Sequence, residues 1–241
     1  MKIENSVVVV TGANRGIGRA LVGQLVRLGA SRIYAAARDV ATVSDLVEQN
    51  DGRVIAVRLD LHDPQSIERL PGAVGDANLL INNAGTAGGG SQLSTDSEVI
   101  RKDFETNYFG TLGVARALVP VLEANGGGAI VNVLSVVSLA SMPALGGYSA
   151  SKAAAHSLTL GLRGELAARG IAVYGVYPGP VDTDMAKGLD LPKTSAEEVA
   201  RAILAGVESG HAYILPDPMS QQVYEGWRTD HRTVEAQFAG L

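Results

Sequence analysis

A doubly wound α/β fold, one parallel sheet with helices on both faces, is the architecture this sequence predicts. Three observations predict it. Short β-branched runs alternate with longer helical patterns along the chain. Several of these runs are apolar without alternation, as strands are when both sheet faces are covered. The first run passes directly into the glycine-rich turn Thr11-Gly12-Ala13-Asn14-Arg15-Gly16-Ile17-Gly18 and then into a helical stretch.

The elements follow in order. Ser6–Val10 reads as the first strand and Gly16–Leu28 as the helix after its turn. Arg32–Ala36 is the second strand, followed by a helix over Val40–Gln49. Val54–Arg58 and Leu79–Asn82 are the next two strands, with a helix over Gln65–Leu70 between them. Ser97–Ala124 reads as one long helix and Ala129–Val133 as a strand. The helix Ser149–Ala168, the strand Ile171–Val176, the helix Ser195–Glu208 and the strand Tyr213–Leu215 complete the alternation. No linker, composition shift or solenoid repeat divides the chain, so one domain is expected over residues 1–241. Thr86–Asp96 and Asp182–Thr194 fall outside the pattern. Both follow strand C-termini, where open α/β sheets bind ligands, so they are candidate pocket walls. Pro216–Leu241 is left with three roles: capping its own pocket, reaching a neighbouring subunit, or remaining mobile.

Composition narrows the function classes. With 46% hydrophobic residues the chain can bury a sizeable core. A formal charge of −5 argues against a general nucleic-acid binder. The absence of cysteine excludes disulfides, thiolate zinc sites and cysteine nucleophiles. His62, His211 and His231 make no metal-ligand spacing and the carboxylates make no cation cage, so no metal is expected. His156, alone on an alanine-rich helix, reads as a packed residue. The start, MKIENSVVVV, lacks a signal peptide's long apolar stretch, and no run approaches the roughly 18–20 apolar residues of a membrane span. A soluble, cytoplasmic protein with no membrane partner is the expectation.

The glycine turn offers phosphates a close backbone approach and the free N–H groups of a helix N-terminus. It is not an ATP-binding P-loop, because no Gly-Lys-Ser/Thr follows. There is no Gly-x-Ser-x-Gly nucleophile elbow either. Tyr148 and Lys152 are four residues apart and share a helix face. A neighbouring ammonium favours a phenolate, so Tyr148 can exchange a proton with a carbonyl or alcohol oxygen. Taken singly, each residue has a plainer explanation: a core–surface pair for Tyr148 and Lys152, a strand-end hydroxyl for Ser135, a kink or cap for Asn107. Their combination after the glycine turn carries the functional reading.

The spacing Gly12-x-x-x-Gly16-x-Gly18, Asn82-Asn83-Ala84-Gly85 after the fourth strand, Asn107 in the long helix, Ser135 thirteen residues before Tyr148, Tyr148-Ser149-Ala150-Ser151-Lys152, and Pro178-Gly179-Pro180-Val181-Asp182-Thr183 occur in one order. Together, from about Val7 to Thr183, they resemble the short-chain dehydrogenase/reductase family. The resemblance implies a Rossmann-type fold, with a cofactor-binding half to about residue 130 and a catalytic and substrate-binding half after it. It implies catalytic roles for Asn107, Ser135, Tyr148 and Lys152. Ser135 would orient the substrate oxygen, Lys152 would also hold the nicotinamide ribose, and Asn107 would hold a relay water. It implies cofactor contacts from Gly12, Asn14, Arg15, Gly16, Ile17 and Gly18, from Leu61, from Asn83, Ala84 and Gly85, and from Pro178, Gly179, Val181 and Thr183. Asp60 would accept from the adenine amino group; the alternative is a helix-capping aspartate. Ala37 stands where NAD-preferring members carry aspartate. Arg38 and Arg15 can instead meet a 2′-phosphate, so NADP(H) is favoured over NAD(H). Asp39 follows Arg38 and is expected to point elsewhere.

The implied reaction is hydride transfer between the nicotinamide and a ketone, aldehyde or secondary alcohol. Candidate substrate contacts are Thr86–Gly90, Leu134, Ser135, Val137, Met142, Leu145, Tyr148, Met185, Leu189 and Tyr177. Most are small or apolar, which points to a neutral, partly hydrophobic substrate. Leu134 stands where many members have a second serine, and Ser138 has the wrong spacing for the catalytic one. Small residues at Gly110, Gly113 and Ala117, and at Ala153, Ala154, Ser157, Gly161 and Gly164, suit either internal packing or the helix pairing by which family members form dimers and tetramers. An NADP-sensing regulator on the same fold, or an epimerase or dehydratase, are the rival readings.

Overall fold

The run of valines near the chain start becomes the middle of the sheet. In the computed structural model, which describes residues 1–240, β1 (Val7–Thr11) lies parallel between β2 (Arg32–Ala37) and β4 (Leu79–Asn82). β3 (Val54–Arg58) pairs outside β2, while β5 (Gly128–Val133), β6 (Ile171–Val176) and β9 (Tyr213–Ile214) extend the other side. The order is β3-β2-β1-β4-β5-β6-β9, all parallel. The chain runs outward from β1 to β3 and returns on the other side at β4. Loops after β1 and β4 therefore leave in opposite directions and open a crevice at the strand C-termini.

Alternate strand residues feed two cores. Val8 and Val10 face α1 (Gly16–Arg27) and α7 (Ala196–Ser209), meeting Leu21, Leu25, Ile203 and Val207. Val9 faces the opposite layer, where α3 (Pro64–Ala73), α5 (Thr111–Ala124) and α6 (Gly146–Leu166) supply Leu70, Leu118, Leu122 and Leu162. Each fully buried leucine here contributes roughly 2 kcal/mol of transfer free energy. The strands are apolar on both sides because both sides are covered.

One buried polar ladder crosses the second layer. Asn82 and Asn132 are register partners; the Asn82 amide donates to Asn132 at 2.9 Å, and the Asn132 amide donates to Thr159 on α6 at 2.9 Å. It fixes the height of α6 on the sheet, since a slip would strand buried polar groups.

Several element boundaries depart from the expected ones. The long helix is interrupted: α4 (Ser97–Phe104) passes through a π-helical turn at Glu105–Gly110 before α5. The second helix is a 3-10 turn, Val40–Val43, then the short α2 (Ser44–Glu48). α6 starts three residues early, because Gly146 and Gly147 form its first turn against Gln92 and Ile100, where side chains would not fit. Within Asp182–Thr194, β7 (Val181–Asp182) pairs with β8 (Thr194–Ser195) and staples the loop at its base.

The segment after Pro216 is a helix, α8 (Pro218–Ala239); Leu241 lies outside the described residues. Asp217 caps it, accepting from Ser220 N at 2.8 Å, and Pro218 occupies the first turn. The helix kinks at Asp230, whose φ of −151° and ψ of 93° are extended. α8 packs on its own chain. Met219, Val223, Trp227, Val234 and Phe238 pack over Val136, Val137, Ala140, Met142 and Tyr148.

Asp217 also accepts from Gly179 N at 2.8 Å, joining α8 to the turn after β6. Asp217→Ala should therefore lower the unfolding free energy by about 1–3 kcal/mol, through a lost cap and an unpaired N–H. Denaturant unfolding checks this; an unchanged midpoint would refute it.

Candidate functional site

Glycine at two turn positions is required by backbone conformation. Gly12 and Gly16 have φ of +64° and +51°. Gly18 is required by space, since a Cβ there would collide with the Gly12 carbonyl. α1 begins uncapped: Arg15 is the N-cap residue without a side-chain bond, and no acid lies in the first turn. Its N-terminal end, with Asn14 and Ile17 beside it, is thus suited to an anion. The turn is tied to β4 from the other side. Thr11 Oγ1 accepts from Asn83 N and Ala84 N, both at 3.0 Å. Asn83 Nδ2 donates to Thr11 O at 3.0 Å and Gly12 O at 3.2 Å. Thr183 stands over the turn, its methyl 3.0 Å from where a Gly16 Cβ would lie.

At the end of β2, Arg38 is exposed and has no hydrogen-bond partner among the described residues. Asp39 points into its own turn and accepts from Ala41 N at 3.0 Å. Arg15 is also exposed, with Nη1 3.9 Å from Asp184 Oδ2. Asp60 accepts from His62 N at 3.0 Å, while Asp63 caps α3. Leu61 packs on Gly110, where a Cβ would come within 2.9 Å of it. These groups line one end of the crevice and could hold a dinucleotide.

The other end is built by β5, α6 and the π-helical turn. Ser135 follows β5 in extended backbone and caps the 3-10 turn Val136–Ser138. Ser138 Oγ accepts from Ser135 N at 3.1 Å, so this second serine is the cap's partner. Lys152 Nζ donates to Val133 O at 2.8 Å and lies 5.8 Å from the Tyr148 ring centroid. Asn107, within the π-helical turn, donates to Ser151 Oγ and to Thr86 O, each at 2.9 Å, and accepts from Thr86 N at 3.0 Å. Inserted π turns of this kind often mark functional positions.

Burial, more than the neighbouring ammonium, governs the Tyr148–Lys152 pair. Desolvation pushes Tyr148 up to about 12; the Ser135 hydroxyl pulls the other way and the Asp103 carboxylate adds to the rise. Desolvation brings Lys152 down to about 8, against the attraction of Asp103. Burial thus outweighs the phenolate-favouring effect expected of Lys152, because both charged forms lose hydration.

A family model for short chain dehydrogenases matches residues 6–193. The protein belongs to the short-chain dehydrogenase family. Among solved structures, this dehydrogenase is similar to a short chain dehydrogenase from Burkholderia cenocepacia J2315 in complex with NADP, with 38% identity, 99% of each chain covered and a TM-score of 0.93. It is also similar to one from Burkholderia phymatum in complex with NAD, with 25% identity, 98% and 96% coverage and a TM-score of 0.85. An uncharacterised oxidoreductase of Staphylococcus epidermidis is 33% identical over 93% of this chain and 96% of its own. The seven-stranded parallel sheet flanked by helices is the fold of such short-chain dehydrogenases.

Not every expected pocket residue of this short-chain dehydrogenase reaches Tyr148. Val137 and Met142 pack in the same cluster as Tyr148. Leu145 is half-buried one residue before α6, and its backbone bridges to Gly90 in the loop after β4. Met185 and Leu189 stay on the exposed loop, 51% and 37% accessible. Leu134 is buried with Ala155 and Tyr177 instead. Tyr177 is wholly buried, its hydroxyl 2.8 Å from His156 Nδ1, so it is a core residue. Gly110 and Gly113 serve internal packing on Leu61 and Ile67, whereas Gly161 and Gly164 face open space.

Sequence reasoning missed Thr11, Asp103, Met219, Val223 and Trp227. The apolar spacing 219, 223, 227 after Asp217-Pro218 is a helix signal that would have found the last three. A lone acid such as Asp103 gives none.

Lys152 generates a pH prediction. Between pH 8 and 10.5 the native protein binds fewer protons than the unfolded chain at this residue, so its contribution to stability rises with pH. Below pH 8 the buried ammonium opposes folding. Lys152→Met should then exceed the wild type in unfolding free energy at pH 7, by on the order of 3 kcal/mol. The gap should shrink toward pH 10.5 in denaturant melts; a constant gap would refute the assignment.

Proposed function

We propose that this short-chain dehydrogenase is an NADP(H)-dependent carbonyl reductase or alcohol dehydrogenase acting on a neutral, partly hydrophobic ketone, aldehyde or secondary alcohol. The observation that carries the reading is the meeting, at one crevice, of an uncapped glycine-turn helix with Ser135, Tyr148 and Lys152. When bound, a nicotinamide would supply or accept the hydride at the substrate carbon. The dinucleotide's phosphates are assigned to the turn from Gly12 to Gly18. Its nicotinamide end is assigned to Pro178, Gly179, Val181 and Thr183.

In reduction, the Tyr148 hydroxyl donates its proton to the carbonyl oxygen. Its high proton affinity keeps it in the donor form at neutral pH. The Ser135 hydroxyl donates a hydrogen bond to the same oxygen and fixes its position. In alcohol oxidation the Tyr148 oxygen takes the proton back, and Lys152 offsets the resulting charge. Asn107 connects this pair to the Thr86 segment and, by the family resemblance, to a relay water. The wall formed by Val137, Met142, Met219 and Trp227 supports an apolar substrate body.

The choice of NADP(H) over NAD(H) rests on charge. Arg38 is unengaged among the described residues, Ala37 offers no acid, and the Asp39 carboxylate is occupied by its own turn. Solved relatives bind either cofactor. A homodimer or homotetramer is supported by the open face around Gly161, where exposed Phe109 adjoins Ala154 and Ser157.

Tyr148→Phe should lose at least ~100-fold in turnover of a ketone panel with NADPH while still binding the cofactor. Full activity in that variant would sink the proton-transfer role. Arg38→Asp should weaken NADPH binding more than NADH binding; an unchanged preference in fluorescence titrations would refute the phosphate assignment.

A further inference from the structure

The turn Pro178-Gly179-Pro180 contains a single backbone donor, because proline has no N–H. That donor, Gly179 N, reaches Asp217 Oδ2 at 2.8 Å. The flanking carbonyls are held elsewhere: Pro178 O accepts from Val136 N at 3.0 Å, and Pro180 O from Thr194 N at 3.1 Å. Asp217 thus secures the middle of the turn from the α8 side. The approach is close. A Cβ on Gly179 would lie 2.8 Å from Asp217 Oδ1, 3.1 Å from Met219 Cβ and 3.3 Å from Met219 Sδ. Met219 in turn packs in the cluster that contains Tyr148, Val137 and Met142. The first turn of α8 therefore touches the Pro178–Pro180 turn on one side and the apolar wall beside Tyr148 on the other.

The residue type at 217 is informative. Asp217 is 3% exposed and forms no ion pair among the described residues. Its second oxygen, Oδ1, accepts from Ser220 N at 2.8 Å as the cap of α8. Serine or asparagine caps a helix about as well, and burying a carboxylate costs more than burying either. What the carboxylate adds is a second acceptor oxygen for a second donor. Here that donor belongs to the turn assigned to the nicotinamide end. We propose that Asp217 is a positioning residue for the cofactor: by bridging the N–H groups of Ser220 and Gly179, it fixes the Pro178–Pro180 turn against α8 and sets where the nicotinamide end is received. This rests on the proposed function, which puts the nicotinamide at that turn; the two hydrogen bonds do not depend on it. Asparagine at this position separates the two jobs. Its one carbonyl oxygen can cap α8, and its NH2 group then faces the Gly179 N–H, donor against donor.

Calorimetric titration of the full chain with two probes tests this. One is NADPH; the other is 2′-phospho-ADP-ribose, which keeps the phosphates and the adenosine end but lacks the nicotinamide. In Asp217→Asn, NADPH affinity should fall by about fivefold or more, as expected from losing one hydrogen bond, while affinity for the fragment stays within about twofold of the wild type. Ser220→Ala removes the reciprocal bonds of the cap, at 3.1 Å to Asp217 N and 2.7 Å to Asp217 O, and leaves the Gly179 bond. It should lower the denaturant midpoint yet keep both affinities near the wild-type values. Unchanged NADPH binding in Asp217→Asn, an equal fall for both probes, or an equal NADPH loss in Ser220→Ala would overturn the inference. If Asp217→Asn does not fold, Asp217→Ser, which caps α8 and leaves Gly179 N unpaired, carries the same measurement. If neither folds, the carboxylate serves stability alone and the inference falls. If the wild type takes NADH instead, NADH and ADP-ribose replace the two probes; if it binds neither dinucleotide, the proposed function falls and this inference with it. Full ketone turnover by Tyr148→Phe would remove the proposed proton transfer and leave this readout intact.

Discussion

Three hydrogen bonds from one carboxamide hold the parts of the site in register. Asn107 grips Thr86 at both backbone groups and reaches Ser151 on α6. It thereby joins the loop after β4, the helix that carries Tyr148, and its own π-helical turn. A regular α-helix over this stretch would repeat every 3.6 residues and change where the carboxamide points. The π turn is thus a local irregularity that serves a long-range alignment. The Asn82–Asn132–Thr159 ladder sets the height of α6 from below, and Asn107 sets it from the side.

The site also carries a cost that folding must offset. Lys152 is 5% exposed, and the Val133 carbonyl is its one hydrogen-bond acceptor among the described residues. A buried ammonium with a single neutral acceptor is poorly compensated. Sheet and helix packing supply the balance: buried aliphatic side chains fill most of both layers.

Much of this was legible in the sequence because the signals were local. Unbroken apolar runs such as Val7–Val10 mark doubly covered strands, and the glycine spacing marks a turn whose geometry excludes side chains. Other features depended on three-dimensional context. The π turn at Glu105–Gly110 has the composition of an ordinary helix. The helix after Pro216 carries its signal in Met219, Val223 and Trp227, diluted further on by Glu225, Arg228, Asp230 and Arg232. The proton affinities of Tyr148 and Lys152 depend on burial, which spacing on a helix does not report. Asp103 carries no local signal, because its burial depends on the loop after β4 lying across it.

The pairing of β7 with β8 bears on how such a site can change. Val181 and Thr194 are partners, as are Asp182 and Ser195, so the exposed segment between them leaves and rejoins the body at one point. Lengthening a loop with tethered ends costs entropy only as the logarithm of its length. Evolution can therefore insert, delete or rewrite residues around Met185 and Leu189 without disturbing the sheet or the Tyr148–Lys152 pair. The same scaffold can in this way acquire a new surface by a change confined to one stapled loop.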